Sequence, residues 1–143
     1  MEHDDRYNQK VRGYRNNNPL NLRISSNQWK GKLPKEANTD GTFEQFETMP
    51  LGFRAALINI RTQVNTHGRN TVEKLIRVWA PDSDGNNSER YIERVCRTTG
   101  MEPAEILNPA NRDQMRRLVY AMAVVENGSA PQWQDIDNAL NLI

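Results

Sequence analysis

The sequence predicts a mainly α domain of α+β character, in which a loop-rich, short-stranded N-terminal part precedes about four to five helices. Three observations carry this. Between residues 13 and 50, Gly13, Pro19, Gly31, Pro34, Gly41 and Pro50 recur among many asparagines, too often for a long helix. After Pro50 the apolar residues fall at helical spacing to the end of the chain. The 143 residues are enough for one core, and the lone Cys96 means that core must hold without an internal disulfide.

Taken in order, residues 1–11 are polar and read as a flexible tail, which leaves residues 12–143 as a single domain. Residues 20–24 and 42–46 alternate apolar and polar side chains and read as short strands or extended loops. Phe53, Leu57, Ile60 and Val64 share one helical face, closed by His67 and Gly68. Thr71 caps a second helix with Val72, Leu75, Ile76 and Trp79 inward, ended by Pro81. A polar loop leads to a third helix from about Ser88, with Tyr91, Ile92, Val95 and Cys96 on one side and Gly100 beyond it. Residues 103–107 form a short helix or turn. Asn111 caps a fourth helix with the apolar row Met115, Leu118, Val119, Met122 and Val125, stopped at Asn127 and Gly128. Pro131 opens a last helix.

Charge and composition exclude several functions. With 19 basic and 18 acidic residues the net charge is +1, too little for nonspecific nucleic-acid binding. No window is apolar enough for a membrane span, and the first residues carry no secretory h-region, so export is expected to need another carrier. Two histidines and one cysteine give no zinc spacing, and no phosphate or dinucleotide fingerprint is present, so neither metal nor cofactor is expected. The acidic run at residues 82–89 lacks the spacing of a calcium loop and reads as surface.

Glu126 is the candidate for chemistry. Val119, Met122 and Glu126 lie at i, i+3 and i+7, so its carboxylate continues an apolar row into the last turn, where the helix dipole is negative. Burial and dipole both disfavour the charged form and would leave a proton to donate at neutral pH. An exposed glutamate beside a glycine stop is the other reading. The run Arg12-Gly-Tyr-Arg-Asn-Asn-Asn-Pro-Leu-Asn-Leu-Arg23 offers amides and guanidinium groups, among them Arg15, Asn17, Asn18 and Asn21, that suit sugar hydroxyls and N-acetyl groups, or equally a tight polar turn. Phe43, Phe46 and Trp79 read mainly as core, whereas Tyr91, following the polar loop, is the better groove residue.

The run from Arg12 to Arg23, with Trp29-Lys-Gly31, Asp40-Gly-Thr-Phe-Glu-Gln-Phe46, Gly52-Phe-Arg-Ala55, Arg77-Val-Trp-Ala-Pro81 and a closing Glu126-Asn-Gly128, resembles a family of phage virion and secreted-effector proteins. These in turn resemble lysozyme-like peptidoglycan-cleaving enzymes, the lytic transglycosylases and glucosaminidases, with the segments in circularly permuted order. The resemblance implies a lysozyme-like domain that cleaves glycan strands of bacterial peptidoglycan. It implies Glu126 as general acid, Asp40 or Glu44 as a second carboxylate with Asp40 the better match, and a groove lined by the Asn16 to Asn21 segment. It implies a monomer acting in the periplasm or cell wall after delivery by a phage particle or secretion system, with an immunity protein as a further partner. Two alternatives stay open: a noncatalytic virion or wall-binding protein on the same fold, and a cysteine amidase or peptidase using Cys96 and His67. Cys96 lies mid-helix among apolar residues, away from a helix N-terminus that would activate it.

Overall fold

The computed structural model describes residues 1–143. Its helices are α1 (Arg12–Arg15), α2 (Met49–Asn65), α3 (Val72–Trp79), α4 (Ser88–Thr99), α5 (Arg112–Asn127) and α6 (Trp133–Asn141). No helix is long and apolar enough to cross a membrane. The helix starts follow from local chemistry. Thr71, Asn87 and Asn111 each accept a hydrogen bond from a backbone N–H three residues on, at 3.2, 3.0 and 3.0 Å, and Thr48 does the same for α2. Gly100 and Gly128 close α4 and α5 in the left-handed conformation that ends a helix without strain.

The apolar face of α2, carrying Phe53, Ala56 and Ile60, packs with Leu118, Val119 and Met122 of α5 and with Ile136 and Ala139 of α6 into one core. Burying side chains of this size stabilises by roughly 1.5–3 kcal/mol each for the larger ones. α4 lies against α5, and α3 against α4.

The N-terminal part departs from expectation in three ways. Its strands are reduced to isolated antiparallel bridges, Arg23 to Phe43 and Lys32 to Phe46. Asparagine side chains occupy backbone groups that a regular ladder would use: the Asn18 amide donates to the carbonyls of Leu22 and Glu44, both at 2.9 Å, and accepts from the Leu22 N–H. A short helix, α1, forms where only turns were expected. Residues 1–11 are not a loose tail. The Tyr7 side chain is buried, its hydroxyl donates to Asp135 in α6 at 2.6 Å, and Arg6 pairs with the same carboxylate at 2.9 Å. Both ends of the chain therefore lie together.

Two glycines let this part approach the helices. A Cβ on Gly52 in α2 would come within 1.8 Å of the Asn17 carbonyl oxygen. A Cβ on Gly13 in α1 would come within 2.2 Å of Asn127 Oδ1 at the end of α5. Any larger residue would push the asparagine segment off α2 or off α5.

Candidate functional site

The site grows from the C-terminal turn of α5. Its apolar row runs through the buried Val119 and Met122 and arrives at Glu126, as the spacing predicted. The next residue, Asn127, donates its side-chain amide to the carbonyls of Ala123 at 2.9 Å and Pro19 at 2.8 Å, tying this turn to the asparagine segment. Asn21 stands beside it with a φ of 53°, a left-handed conformation that asparagine tolerates better than most residues. Asn21 Nδ2 donates to Glu126 Oε1 at 2.9 Å, and the Tyr91 hydroxyl donates to Oε2 at 2.9 Å. The arrangement aims both amide N–H groups and leaves Asn21 Oδ1 and Asn127 Oδ1 buried without a donor.

Burial pushes the Glu126 carboxyl above the ordinary glutamate range, and the hydrogen bonds from Asn21 and Tyr91 offset only part of that rise. Both donors are neutral. Burial, and then the neighbouring Glu126 charge, also pushes the Tyr91 phenol far up, so Tyr91 keeps the proton it donates.

Glu126 opens into a cavity of about 230 Å³, with Asn21, Arg23, Phe43, Trp79, Asp84 and Asn86 around it. The half-buried Trp79 is fixed by its indole N–H, which donates to the Leu20 carbonyl at 3.2 Å. Arg23 stacks on the Phe43 ring, 5.6 Å from its centroid, and makes no ion pair. The cavity continues on one side, past Trp79 and Asp84, into a hollow of about 210 Å³ reaching Asn59 and Gln63. Asn86 also borders a second hollow, of about 370 Å³, lined by Arg90, Tyr91 and Arg94. Glu126 itself lines only the first of these three hollows. The largest concavity, about 970 Å³, follows the outer face of α4 and contains no buried carboxylate. The half-buried acid with its raised carboxyl, not the size of the hollow, marks the candidate place for chemistry.

The expected site residues divide sharply. Asn21 and Tyr91 reach Glu126; Tyr91 is largely buried, its hydroxyl holds the acid, and it also borders the hollow of Arg90 and Arg94. Asn17 and Asn18 are almost fully buried and act as braces: Asn17 Nδ2 donates to the Phe46 carbonyl at 3.0 Å and the Glu2 carbonyl at 2.9 Å. Arg15 borders a separate hollow with Arg12, Asn16 and Asp40. Asp40 is consumed there. It accepts from the Arg12 guanidinium twice at 2.8 Å, from Asn16 Nδ2 at 3.0 Å and from the Phe43 N–H at 2.9 Å. Arg12 above all holds the Asp40 carboxyl well below the usual carboxylate range. Glu44 is equally committed, to Lys32 at 2.8 Å. Neither acid lines the Glu126 cavity.

Phe43 and Trp79, expected as core, are half-buried cavity walls, while Phe46 is core. Asp84, in a short 3-10 turn (Asp82–Asp84) of the loop read as plain surface, lines the same cavity as Glu126. Burial pushes the Cys96 thiol up, away from the reactive thiolate, and no histidine hydrogen-bonds to it. No group of three histidine, cysteine, aspartate or glutamate side chains comes together as metal ligands would.

No known family profile matches the chain. A curated relative, Protein P5 of Pseudoalteromonas phage PM2, is 37% identical over 131 residues, which cover 90% of this chain and 78% of that protein. At that identity and coverage, the chain belongs to the family of this phage protein.

Proposed function

We propose that this protein cleaves the glycan strands of bacterial peptidoglycan, as a lysozyme-like muramidase or lytic transglycosylase, with Glu126 as general acid. One observation carries the reading: a carboxyl pushed up by burial, gripped on both oxygens by neutral donors, opens into a polar, aromatic-walled cavity. A carboxyl raised above the ordinary glutamate range holds its proton to higher pH, and a protonated carboxyl can give that proton to a glycosidic oxygen as the C–O bond breaks. Two further hollows share lining residues with the Glu126 cavity, Trp79 and Asp84 in one and Asn86 in the other, and offer room for more of a polymer than one sugar. The Trp79 ring offers an apolar face to sugar, and Asn59 and Asn86 offer amides to its hydroxyl and N-acetyl groups.

The order of segments fits a circularly permuted lysozyme-like domain. The asparagine segment and the glutamate helix, at opposite ends of the sequence, meet at one site, and the chain ends lie together. Kinship with a phage protein supports action on the wall after delivery in a virion.

The test is digestion of purified peptidoglycan by wild type and Glu126→Gln, with products resolved by mass. Wild type is expected to release muropeptides and a folded Glu126→Gln is not. Anhydro ends mark a transglycosylase and reducing ends a hydrolase. Equal products from both proteins overturn the acid role. No release by wild type from several wall types replaces this reading with a noncatalytic virion or wall-binding protein.

A further inference from the structure

Protonating the leaving oxygen is half of the reaction. The sugar carbon left behind develops positive charge and must be met by an anion or by the substrate itself. The two acids that the sequence pattern offered for this are spent: Asp40 on Arg12 and Asn16, Glu44 on Lys32, each away from the Glu126 cavity. Asp84 is the other carboxylate that borders that cavity.

Its setting differs from that of its neighbours in the loop. Asp82, two residues before, is used structurally, accepting from the Ser88 N–H at 2.9 Å at the start of α4. Asn87 caps the same helix through the Arg90 N–H at 3.0 Å. Asp84 has no ion pair and accepts no side-chain or backbone hydrogen bond. It is exposed, on a 3-10 turn closed by Gly85 at a φ of 82°. It also borders the hollow reaching Asn59 and Gln63, so a strand passing Glu126 on that side passes Asp84. The turn is held at its far end by the buried Ser88 hydroxyl, which donates to the Ala80 carbonyl at 2.6 Å. Glu126 is therefore half-buried with only neutral hydrogen-bond donors on it, while Asp84 is exposed and unpaired, so the two carboxyls meet one cavity in different surroundings and suit different roles.

We infer that Asp84 is the second catalytic carboxylate, facing the sugar carbon across the cavity from Glu126. This rests on the glycosidase reading above. As the glycosidic C–O bond breaks, its electron pair goes to the leaving oxygen, which takes the Glu126 proton. A water then bonds to the sugar carbon, and Asp84 stabilises the cationic carbon and takes the water proton. The proton later passes back to Glu126 through solvent, so the cycle closes without a co-reactant.

The experiment measures kcat and KM on peptidoglycan for wild type, Glu126→Gln, Asp84→Asn and Asp84→Ala, the last with and without azide. Asp84 is exposed and makes no contact needed for folding, so its variants are expected to melt with the wild type. Asp84→Asn is expected to lose about 100-fold or more in kcat with KM changed little. Azide is expected to restore part of the Asp84→Ala rate and to appear in the product as a glycosyl azide. If wild type cleaves through Glu126 and Asp84→Asn keeps its kcat within about twofold, Asp84 is overturned alone and the substrate's own acetamido group meets the charge. If no Glu126-dependent cleavage occurs, the glycosidase reading falls and Asp84 falls with it.

Discussion

Asp40 and Glu126 are both half-buried, both accept hydrogen bonds from the asparagine segment, and are driven in opposite directions. Asp40 receives a bidentate guanidinium, an amide and backbone N–H groups, and is held as an anion. Glu126 receives one amide and one phenol and is pushed toward the neutral acid. The difference is the cation. A neutral donor recovers only part of the hydration that burial removes, whereas an arginine recovers more than all of it. The first carboxyl is held as an anion in a strut, and the second is the one shifted toward its protonated form. The resemblance that made Asp40 the better second acid located a brace.

The largest effect should come from removing the protonable group. Glu126→Gln is expected to lower kcat by about three orders of magnitude, within the range for a positioned general acid. It is also expected to raise stability at neutral pH. The folded pKa is raised, so the fold binds a proton that the unfolded chain has released, and wild type loses stability as pH rises from the unfolded glutamate value through the folded one. Thermal melts of the two proteins should diverge in favour of Glu126→Gln above that window and converge below it. A constant difference across pH would mean that Glu126 titrates like an exposed residue.

Asp40→Asn is the matching change in the other region. It weakens the hydrogen bonds that Asn16 and the Phe43 N–H donate to this carboxyl, a loss of about 1 kcal/mol, while the exposed Arg12 guanidinium returns to water. That should lower the melting temperature by several degrees. Here the sign is reversed: the Asp40 pKa is depressed, so its contribution is present above the unfolded aspartate value and fades as pH falls through the folded one. Activity per folded molecule should stay near wild type. A large loss of kcat without loss of stability would return Asp40 to the reaction.

The helices and their caps were legible because they depend on neighbours in sequence. Thr71, Asn87 and Asn111 bind N–H groups three residues away, and the row from Met115 to Glu126 needs only the helical period. The asparagine block was not legible in the same way. Asn17, Asn18 and Asn21 are chemically identical, yet two brace backbone carbonyls and one holds the acid, and the partners that decide this lie 4 to 105 residues away. Tyr91 misled for a related reason. Its position on the Ile92 and Val95 face pointed inward, while its place after a polar loop suggested a groove, and the inward face prevailed. Tyr7 was lost among polar residues because its partner, Asp135, is at the other end of the chain. Asp84 carried no local signal at all, since only the folding of its loop over α5 gives it the company of Glu126.

A smaller change can push the two regions further apart. Asn21→Asp keeps a residue that accepts the left-handed backbone and replaces a neutral donor with a second carboxyl beside Glu126. Like charges share a proton at such a distance, so the pKa of the pair's last proton should rise. The alkaline limb of the pH–rate profile is expected to move up by about one unit. A limb that moves down would mean that the new aspartate bonds elsewhere and the acid has gained water.

Tyr91→Phe is the finest probe. The phenol donates to Glu126 Oε2 and so favours the charged form, and its removal should shift the alkaline limb upward in the same direction as Asn21→Asp, but by less, because Asn21 still grips Oε1. The ring stays in the core with its packing intact, so stability should change only by the order of one hydrogen bond, about 1 kcal/mol. If Tyr91 instead stacked on sugar, phenylalanine would serve equally well and the limb would not move. A shifted limb with unchanged KM therefore separates a residue that tunes the acid from one that reads the substrate.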